Sequence, residues 1–166
     1  QRFPDYKLVV APHEISRSEE VKETFRTYKV TQYSSMKGEQ LAACQVLIID
    51  TIGTLSRLYQ YSDLSYIGGA FKTGLHNILE AAVYGKPLFF GPHYDHFNEA
   101  VNLVALKGAF SVNSTAEMQA IMEKFEQNPD YYAQTCEICQ QFVADNSGAA
   151  DTIYKQIEES ICRDVS

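Results

Sequence analysis

LSYIGGAFKTGLHNILEAAVYGKPLFFG, residues 64–91, decides how the chain folds. LSYIGG (64–69) is a short apolar run that ends in glycines and reads as a strand. HNILEAAVYG (76–85) has helical spacing and closes at Gly85, with Pro87 as the expected stop. PLFFG (87–91) is a second strand. Strand, loop, helix and strand in succession are the signature of an α/β sheet.

The same alternation extends in both directions. Upstream, KLVVAP (7–12) reads as a strand and SRSEEVKETFR (16–26) as a helix, with Ser16 and Glu19 resembling a capping box. YKVTQYS (28–34) is a strand, 38–44 a short loop or helix, QVLIID (45–50) a buried strand and TLSRLYQYS (54–62) a short helix. Downstream, NEAVNLVALKG (98–108) is a helix ending at Gly108, and AFSV (109–112) closes the sheet. The pattern then becomes wholly helical: STAEMQAIMEKFEQ (114–127), PDYYAQTCEICQQFVADN (129–146) and SGAADTIYKQIEESICRD (147–164). The expected fold is a mostly parallel sheet flanked by helices on both faces, with a helical C-terminus. Ligands of such folds bind outside the carboxyl ends of the strands.

Composition bounds the function. With 166 residues, 45% hydrophobic and 21% charged, the chain has the make-up of one soluble globular domain with its own core. The four cysteines, Cys44, Cys136, Cys139 and Cys162, lack the spacing of a disulfide framework, which points to a reducing compartment. No apolar run is long enough to span a bilayer, and no basic-then-hydrophobic leader is visible. A formal charge of -7 argues against a nucleic-acid surface. The chain opens at Gln1 without methionine and runs straight into a strand pattern, so it is expected to be the C-terminal part of a longer protein.

Four strand ends carry polar clusters: APHEISRS, DTIGTL, GGAFKTGLHN and GPHYDHFNE. Folding is expected to bring them along one crevice. DTIGTL puts Gly53 at the start of a helix, where free backbone N–H groups accept a phosphate without a basic side chain. The loop after 64–69 repeats the device, with Gly68, Gly69 and Gly74 permitting close backbone approach before a helix that begins near His76 and Asn77. Asn77 and Glu80, three residues apart, share a face, and a carboxylate at Glu80 suits a ribose diol. The expected ligand is a nucleotide. The plainer alternative is that the glycines serve turns and Glu80 only complements the helix dipole. Neither GxGxxG nor GxxxxGK[ST] is present.

HYDHFNE (93–99) offers His93, Asp95, His96 and Glu99, but their spacing fits no strong zinc pattern, and a polar strand-to-helix loop is the preferred reading. CEIC (136–139) is a lone CxxC in a helical pattern and reads as helix packing. The eleven tyrosines are not interleaved with basic residues, against a single-strand stacking platform.

Taken together, PH at 12–13, DTIGTL at 50–55, IGGAF…GLHNILEAAVYGKPLFFGPH at 67–93 and NEA at 98–100 resemble the C-terminal half of the bacterial 3-deoxy-D-manno-octulosonic acid (Kdo) transferases of lipopolysaccharide synthesis. The likeness runs in register from about residue 5 to 150. DT-x-G, GG-x-F and HN-x-LE-x-A at these intervals are specific in combination, whereas GG…HN-x-LE alone would match several GT-B glycosyltransferases.

The resemblance implies a GT-B enzyme of two Rossmann-like halves. This chain would be the half that binds the donor CMP-Kdo, and an N-terminal half would bind the acceptor, a lipid A precursor. Transfer would proceed with inversion, with no nucleotide-bound metal and no cofactor, in a whole enzyme at the cytoplasmic face of the bacterial inner membrane. By position, Pro12 and His13 would flank the cytosine, Ile52 and Gly53 would lie against the nucleotide and its phosphate with Thr54 beside them, Asn77 and Glu80 would hold the ribose, and Gly69 and His76 would line the phosphate and sugar end. His13 and Thr54 depart from the arginine and glutamate that many relatives carry there. His13 would supply only some of the charge that an arginine would carry there. His76, Lys72 or Arg57 would help balance the donor's phosphodiester and carboxylate. The general base would sit in the N-terminal half, so no catalytic residue is assigned here, and the chain alone would bind nucleotide weakly and turn nothing over.

The last helix would either cross to the other half, exposing Ile153, Ile157 and Ile161, or pack on its own domain. Two rival readings stay open: a GT-B transferase or epimerase using a UDP-sugar, and a non-catalytic α/β binding module.

Overall fold

The computed structural model describes residues 3–71 and 74–147, so Lys72, Cys162 and the helix expected beyond Ser147, with Ile153, Ile157 and Ile161, lie outside the described residues. Two compact units divide the chain, the first ending at Leu58 and the second beginning at Tyr59.

In the first unit, β1 (Leu8–Val10), β2 (Val30–Gln32) and β3 (Val46–Ile48) pair in the order β1-β3-β2. Both pairings are parallel, with Leu47 opposite Val9 on one side and Thr31 on the other. The continuous apolar run predicted for β3 follows from this central place, since all three of its residues are buried. Cys44, Leu47 and Ile49 form a small core with Ala11, Met36 and Leu58 against it. The helices are short: α1 (Ser18–Thr24), α2 (Gly38–Ala43) and α3 (Leu55–Leu58).

Two local expectations need correction. The Ser16–Glu19 capping box does not form: Ile15–Arg17 is a 3-10 turn, and Ser18 Oγ donates to the Ile15 carbonyl at 2.7 Å. Glu19 instead accepts from Gln32 Nε2 at 2.9 Å. The strand expected to reach residue 34 stops at Gln32, because Tyr33–Ser35 coils into a second 3-10 turn.

In the second unit, β4 (Ser65–Ile67), β5 (Leu88–Phe90) and β6 (Ala109–Ser111) pair in chain order, again parallel, with Phe89 between Tyr66 and Phe110. The period-two alternation of β5 feeds two cores. Leu88 and Phe90 enter one with Ile67, Ile78, Ala81, Ala82, Leu103 and Phe142. Phe89 enters the other with Val112 and Phe125, ringed by Phe110, Tyr131 and Tyr132. Helices therefore cover both faces: α4 (Leu79–Ala82), α5 (Asn98–Leu106) and α7 (Pro129–Asn146) serve the first core, and α6 (Thr115–Gln127) with the start of α7 serves the second.

Helices α6 and α7 fall where the sequence put them. Ser114 Oγ accepts from Glu117 N at 3.2 Å, and Asn128 Oδ1 accepts from Tyr131 N at 3.0 Å with Pro129 opening the helix. Both sheets are parallel and flanked by helices, as expected, and among the described residues the strands form two three-stranded sheets, one in each unit, rather than one.

Candidate functional site

The candidate residues fall into two groups, one in each unit. In the second unit the group lies on the loop after β4. Gly69 has φ +95, and a Cβ there would overlap the Gly74 carbonyl oxygen, so only glycine fits. The loop is closed by His76 N, which donates to the Gly68 carbonyl at 3.3 Å. The His76 ring lies beside both glycines, Cδ2 coming within 3.3 Å of the place a Gly69 Cβ would take. This turn holds the exposed His76 against the glycine pair at the carboxyl end of β4.

The helix that follows is shorter than its pattern suggests. It begins at Leu79 rather than near His76, and the Asn77 side chain closes the turn ahead of it: Leu79 N donates to Asn77 Oδ1 at 3.0 Å. Asn77 Nδ2 in turn donates to Glu80 Oε1 at 3.2 Å. The expected pairing of Asn77 with Glu80 is present, with Asn77 preceding the helix and Glu80 in its first turn. With four residues, α4 offers little dipole, so backbone N–H groups of the loop would have to carry an anion here. Gly85, at φ +63, ends the turn that carries the chain on to β5, as predicted.

Two further residues frame this loop: Phe71, legible as part of GG-x-F though its contact was not, and Tyr59, which the sequence did not single out. Phe71, half exposed, lies so close to Gly91 that a Cβ on Gly91 would sit 2.7 Å from its ring. Tyr59, before β4, packs on the core, and burial raises its phenol pKa above the ordinary value, with the Glu80 charge adding to the rise. No spacing rule connects Tyr59 to Glu80, so nothing local in the sequence signals their proximity.

In the first unit, Pro12 and His13 follow β1, with Pro12 half-buried and His13 exposed. DTIGTL follows β3 and forms a tight turn. Thr51 Oγ1 and Thr54 Oγ1 share a hydrogen bond at 2.8 Å across it. Gly53 sits at its apex with φ +80 and open space around it, while Ile52 is 90% exposed. Asp50, at the root of the turn, accepts from Ser34 N at 2.8 Å and from Ser34 Oγ. The Ser34 hydroxyl, ahead of the opposing cost of desolvation, holds the Asp50 carboxyl below the ordinary carboxylate pKa. Asp50 was legible as part of DT-x-G, but its hold on Ser34 was not.

Elsewhere, the CxxC cysteines lie on α7. Cys139 is buried, donates to the Gly108 carbonyl at 3.0 Å and has its thiol pushed up to about 12 by burial. A thiol so protonated is a packing residue, not a nucleophile. Among the described residues, no three His, Cys, Asp or Glu side chains cluster to hold a metal. A cleft of about 340 Å³ between β2 and the end of α2, and another of about 480 Å³ between α5 and α7, contain none of the candidate residues.

No family model matches the chain. It is 32% identical over 100 residues to the 3-deoxy-D-manno-octulosonic acid transferase of Chlamydia pneumoniae, covering 59% of this chain and 23% of that protein. It is 31% identical over 120 residues to the transferase of the same name from Haemophilus influenzae, covering 70% and 28%. The chain thus spans about a quarter of the length of these curated relatives. In fold it is similar to the crystal structure of the C-terminal CMP-Kdo binding domain of WaaA from Acinetobacter baumannii, with a TM-score of 0.73 and 23% identity over 82% of this chain and 73% of that one. The likeness carried by DT-x-G, GG-x-F and HN-x-LE-x-A stands: the chain resembles the Kdo transferases in sequence and shares the Rossmann-like fold of that C-terminal domain.

Proposed function

We propose that this chain is the donor-binding half of a Kdo transferase, which as a whole enzyme moves Kdo from CMP-Kdo to a lipid A precursor with inversion, in lipopolysaccharide synthesis. Residues 1–166 would work as one donor-binding domain. The acceptor site, the general base and contact with the cytoplasmic face of the bacterial inner membrane would belong to an N-terminal half. Among the described residues, no helix is long and apolar enough to cross a membrane.

The observation that carries the reading is the loop after β4: a glycine turn that admits no side chain, His76 held beside it, and Asn77 bonded to Glu80 one step further on. The half-buried Gly69 backbone and the imidazole of His76 suit the phosphodiester and the sugar end. The Glu80 carboxylate suits the ribose diol, which it would accept in two hydrogen bonds. In the first unit, Pro12, His13, Ile52, Gly53 and Thr54 are proposed to meet the cytosine and the nucleotide. As CMP departs, positive charge develops at the anomeric carbon of Kdo, and an acceptor hydroxyl deprotonated by the base of the other half attacks from the opposite face. The donor half contributes by holding the leaving group in line.

Titration of the chain with CMP and with UMP, followed by backbone amide shifts, tests this. Selective, saturable shifts with CMP at Gly53, Gly69, Asn77 and Glu80 are expected. A preference for UMP would transfer the case to a UDP-sugar enzyme. Shifts with neither nucleotide, in this chain and in one that includes the N-terminal half, would overturn the reading, and turnover of CMP-Kdo by this chain alone would overturn the division of labour.

A further inference from the structure

The Asn77 carboxamide is engaged at both ends within a span of four residues. Its oxygen accepts from Leu79 N at 3.0 Å, and its nitrogen donates to Glu80 Oε1 at 3.2 Å. The first bond fixes the amide plane against the backbone, so the second comes from a group that is itself anchored. Glu80 is exposed and on a helix of only four residues, where a free glutamate would sample several rotamers. With Oε1 tied to Asn77, the carboxylate loses much of that freedom, and Oε2 is left directed elsewhere. Tyr59 is near enough that the Glu80 charge adds to the rise that burial causes in its phenol.

We infer that Asn77 is a positioning residue for Glu80, setting the orientation in which the carboxylate meets a vicinal diol, rather than a ribose ligand in its own right. The inference rests on the proposed nucleotide reading and deepens it: discrimination between a ribo- and a deoxyribonucleotide would depend on Asn77 through Glu80. Loss of the clamp would not remove the carboxylate. It would return Glu80 to an ensemble in which the two-hydrogen-bond geometry is a minor state, and the affinity falls by the fraction of time spent outside it.

Asn77→Asp separates the two bonds. An aspartate keeps an oxygen for Leu79 N, since aspartate bonds the backbone two residues on as asparagine does. It removes the donor to Glu80 and puts a second carboxylate at hydrogen-bonding distance from the first. One of the two must then take a proton more readily than an isolated carboxyl does. Once protonated, the pair can share that proton in a new hydrogen bond, which restores the clamp. Among the groups near Glu80, His76 stands one residue before Asn77 and is proposed to meet the phosphate that both nucleotides share, so its contribution cancels in the ratio. Tyr59 titrates far above the range, and α4 meets α7 through Ala81 and Ala82, in a cluster whose titrating member, Cys139, is pushed up to about 12.

The experiment measures the ratio of CMP to 2′-deoxy-CMP affinity for the chain between pH 8 and pH 5, so that titration of the ligand phosphate cancels. The unaltered chain should favour CMP by about tenfold, the value of one lost hydrogen bond, from the 2′-hydroxyl, to a partly solvated carboxylate, at every pH. Asn77→Asp should melt at an unchanged temperature and bring the ratio near one at pH 8, with recovery as the pH falls. In the Glu80→Gln background, Asn77→Asp should change the ratio no further, since both act on one contact. If Glu80→Gln leaves the ratio of the unaltered chain intact, the ribose reading itself falls. If Glu80→Gln abolishes it while Asn77→Asp preserves it, or if the two substitutions add, the positioning role falls alone.

Discussion

Each unit builds a parallel three-strand ladder around a fully buried central strand, yet the two are packed very differently. In the second unit, β5 puts Leu88, Phe89 and Phe90, none of them exposed, into cores on both faces. Around Phe125 alone, Phe89, Phe110, Tyr131 and Tyr132 lie with ring centroids 5.4 to 6.5 Å away. In the first unit, β3 is equally buried, but its side-chain cluster is Cys44, Leu47 and Ile49, and the flanking β1 leaves Leu8 and Val9 45% and 47% exposed. The candidate residues are spread over both. The larger cores of the second unit are expected to hold Asn77 and Glu80 more firmly than the thinner packing of the first holds His13 and Ile52.

The most severe way to break this comparison is to hollow out β5. Phe89→Ala removes a ring that touches Phe110 and Phe125, and should cost about 3–5 kcal/mol in denaturant unfolding. Leu47→Ala, at the corresponding central place of β3, should cost about 2 kcal/mol, the low end for its class, because its smaller cluster has less to lose. Amide exchange in the unaltered chain should be slowest in β5 and faster in β3. Equal costs and equal protection would show that the aromatic core gives the second unit no advantage.

How the sequence betrayed this architecture differs from element to element. The pattern S-x-x-E occurs at 16–19 and at 114–117, and only the second caps a helix. At 114–117 the glutamate reaches back to Asn113 N at 2.8 Å, a bond between close neighbours. At 16–19 the glutamate is drawn to Gln32, thirteen residues on, which no local pattern could reveal. Gly108 was read as a helix stop, but Lys107 takes the left-handed turn at φ 68, and Gly108 is glycine because Leu103, Ile138 and Cys139 leave no room for a Cβ. The pairing of Asn77 with Glu80 was legible because it depends on spacing alone. The role of Tyr59 beside Glu80, and of Phe71 against Gly91, depends on the fold and was not.

A gentler probe acts on the first unit through pH. Asp50 binds Ser34 through both oxygens, tying the turn after β2 to the end of β3. Because its folded-state pKa lies below the ordinary value of 3.8, the tie contributes fully above that value and is lost as the pH falls through the folded-state value. The carboxyl is largely solvated, so the loss should be no more than about 1 kcal/mol. Asp50→Ala should speed amide exchange in β3 at pH 7, and the gap to the unaltered chain should close below about pH 4. A gap that persists at low pH would assign the effect to packing rather than to the charge.

The smallest effect on folding is expected where the first unit departs furthest from burial. Ile52 is 90% exposed at the apex of the DTIGTL turn, so Ile52→Ser should change stability by less than about 0.5 kcal/mol. A β-branched apolar side chain in water gains nothing for the fold, and beside Gly53 it gains nothing for the turn. It does gain from contact with a flat apolar ligand surface such as a nucleobase or ribose face. Partial burial there is worth about 1 kcal/mol, so CMP affinity should fall roughly fivefold in Ile52→Ser with the melting temperature unchanged. Lost affinity at constant stability would mean that the thinly packed unit spends its exposed apolar surface on the ligand. Unchanged affinity would leave Ile52 an ordinary surface residue and concentrate recognition at Gly69 and at His76 to Glu80, where hydrogen bonds already fix the backbone and the Asn77 side chain.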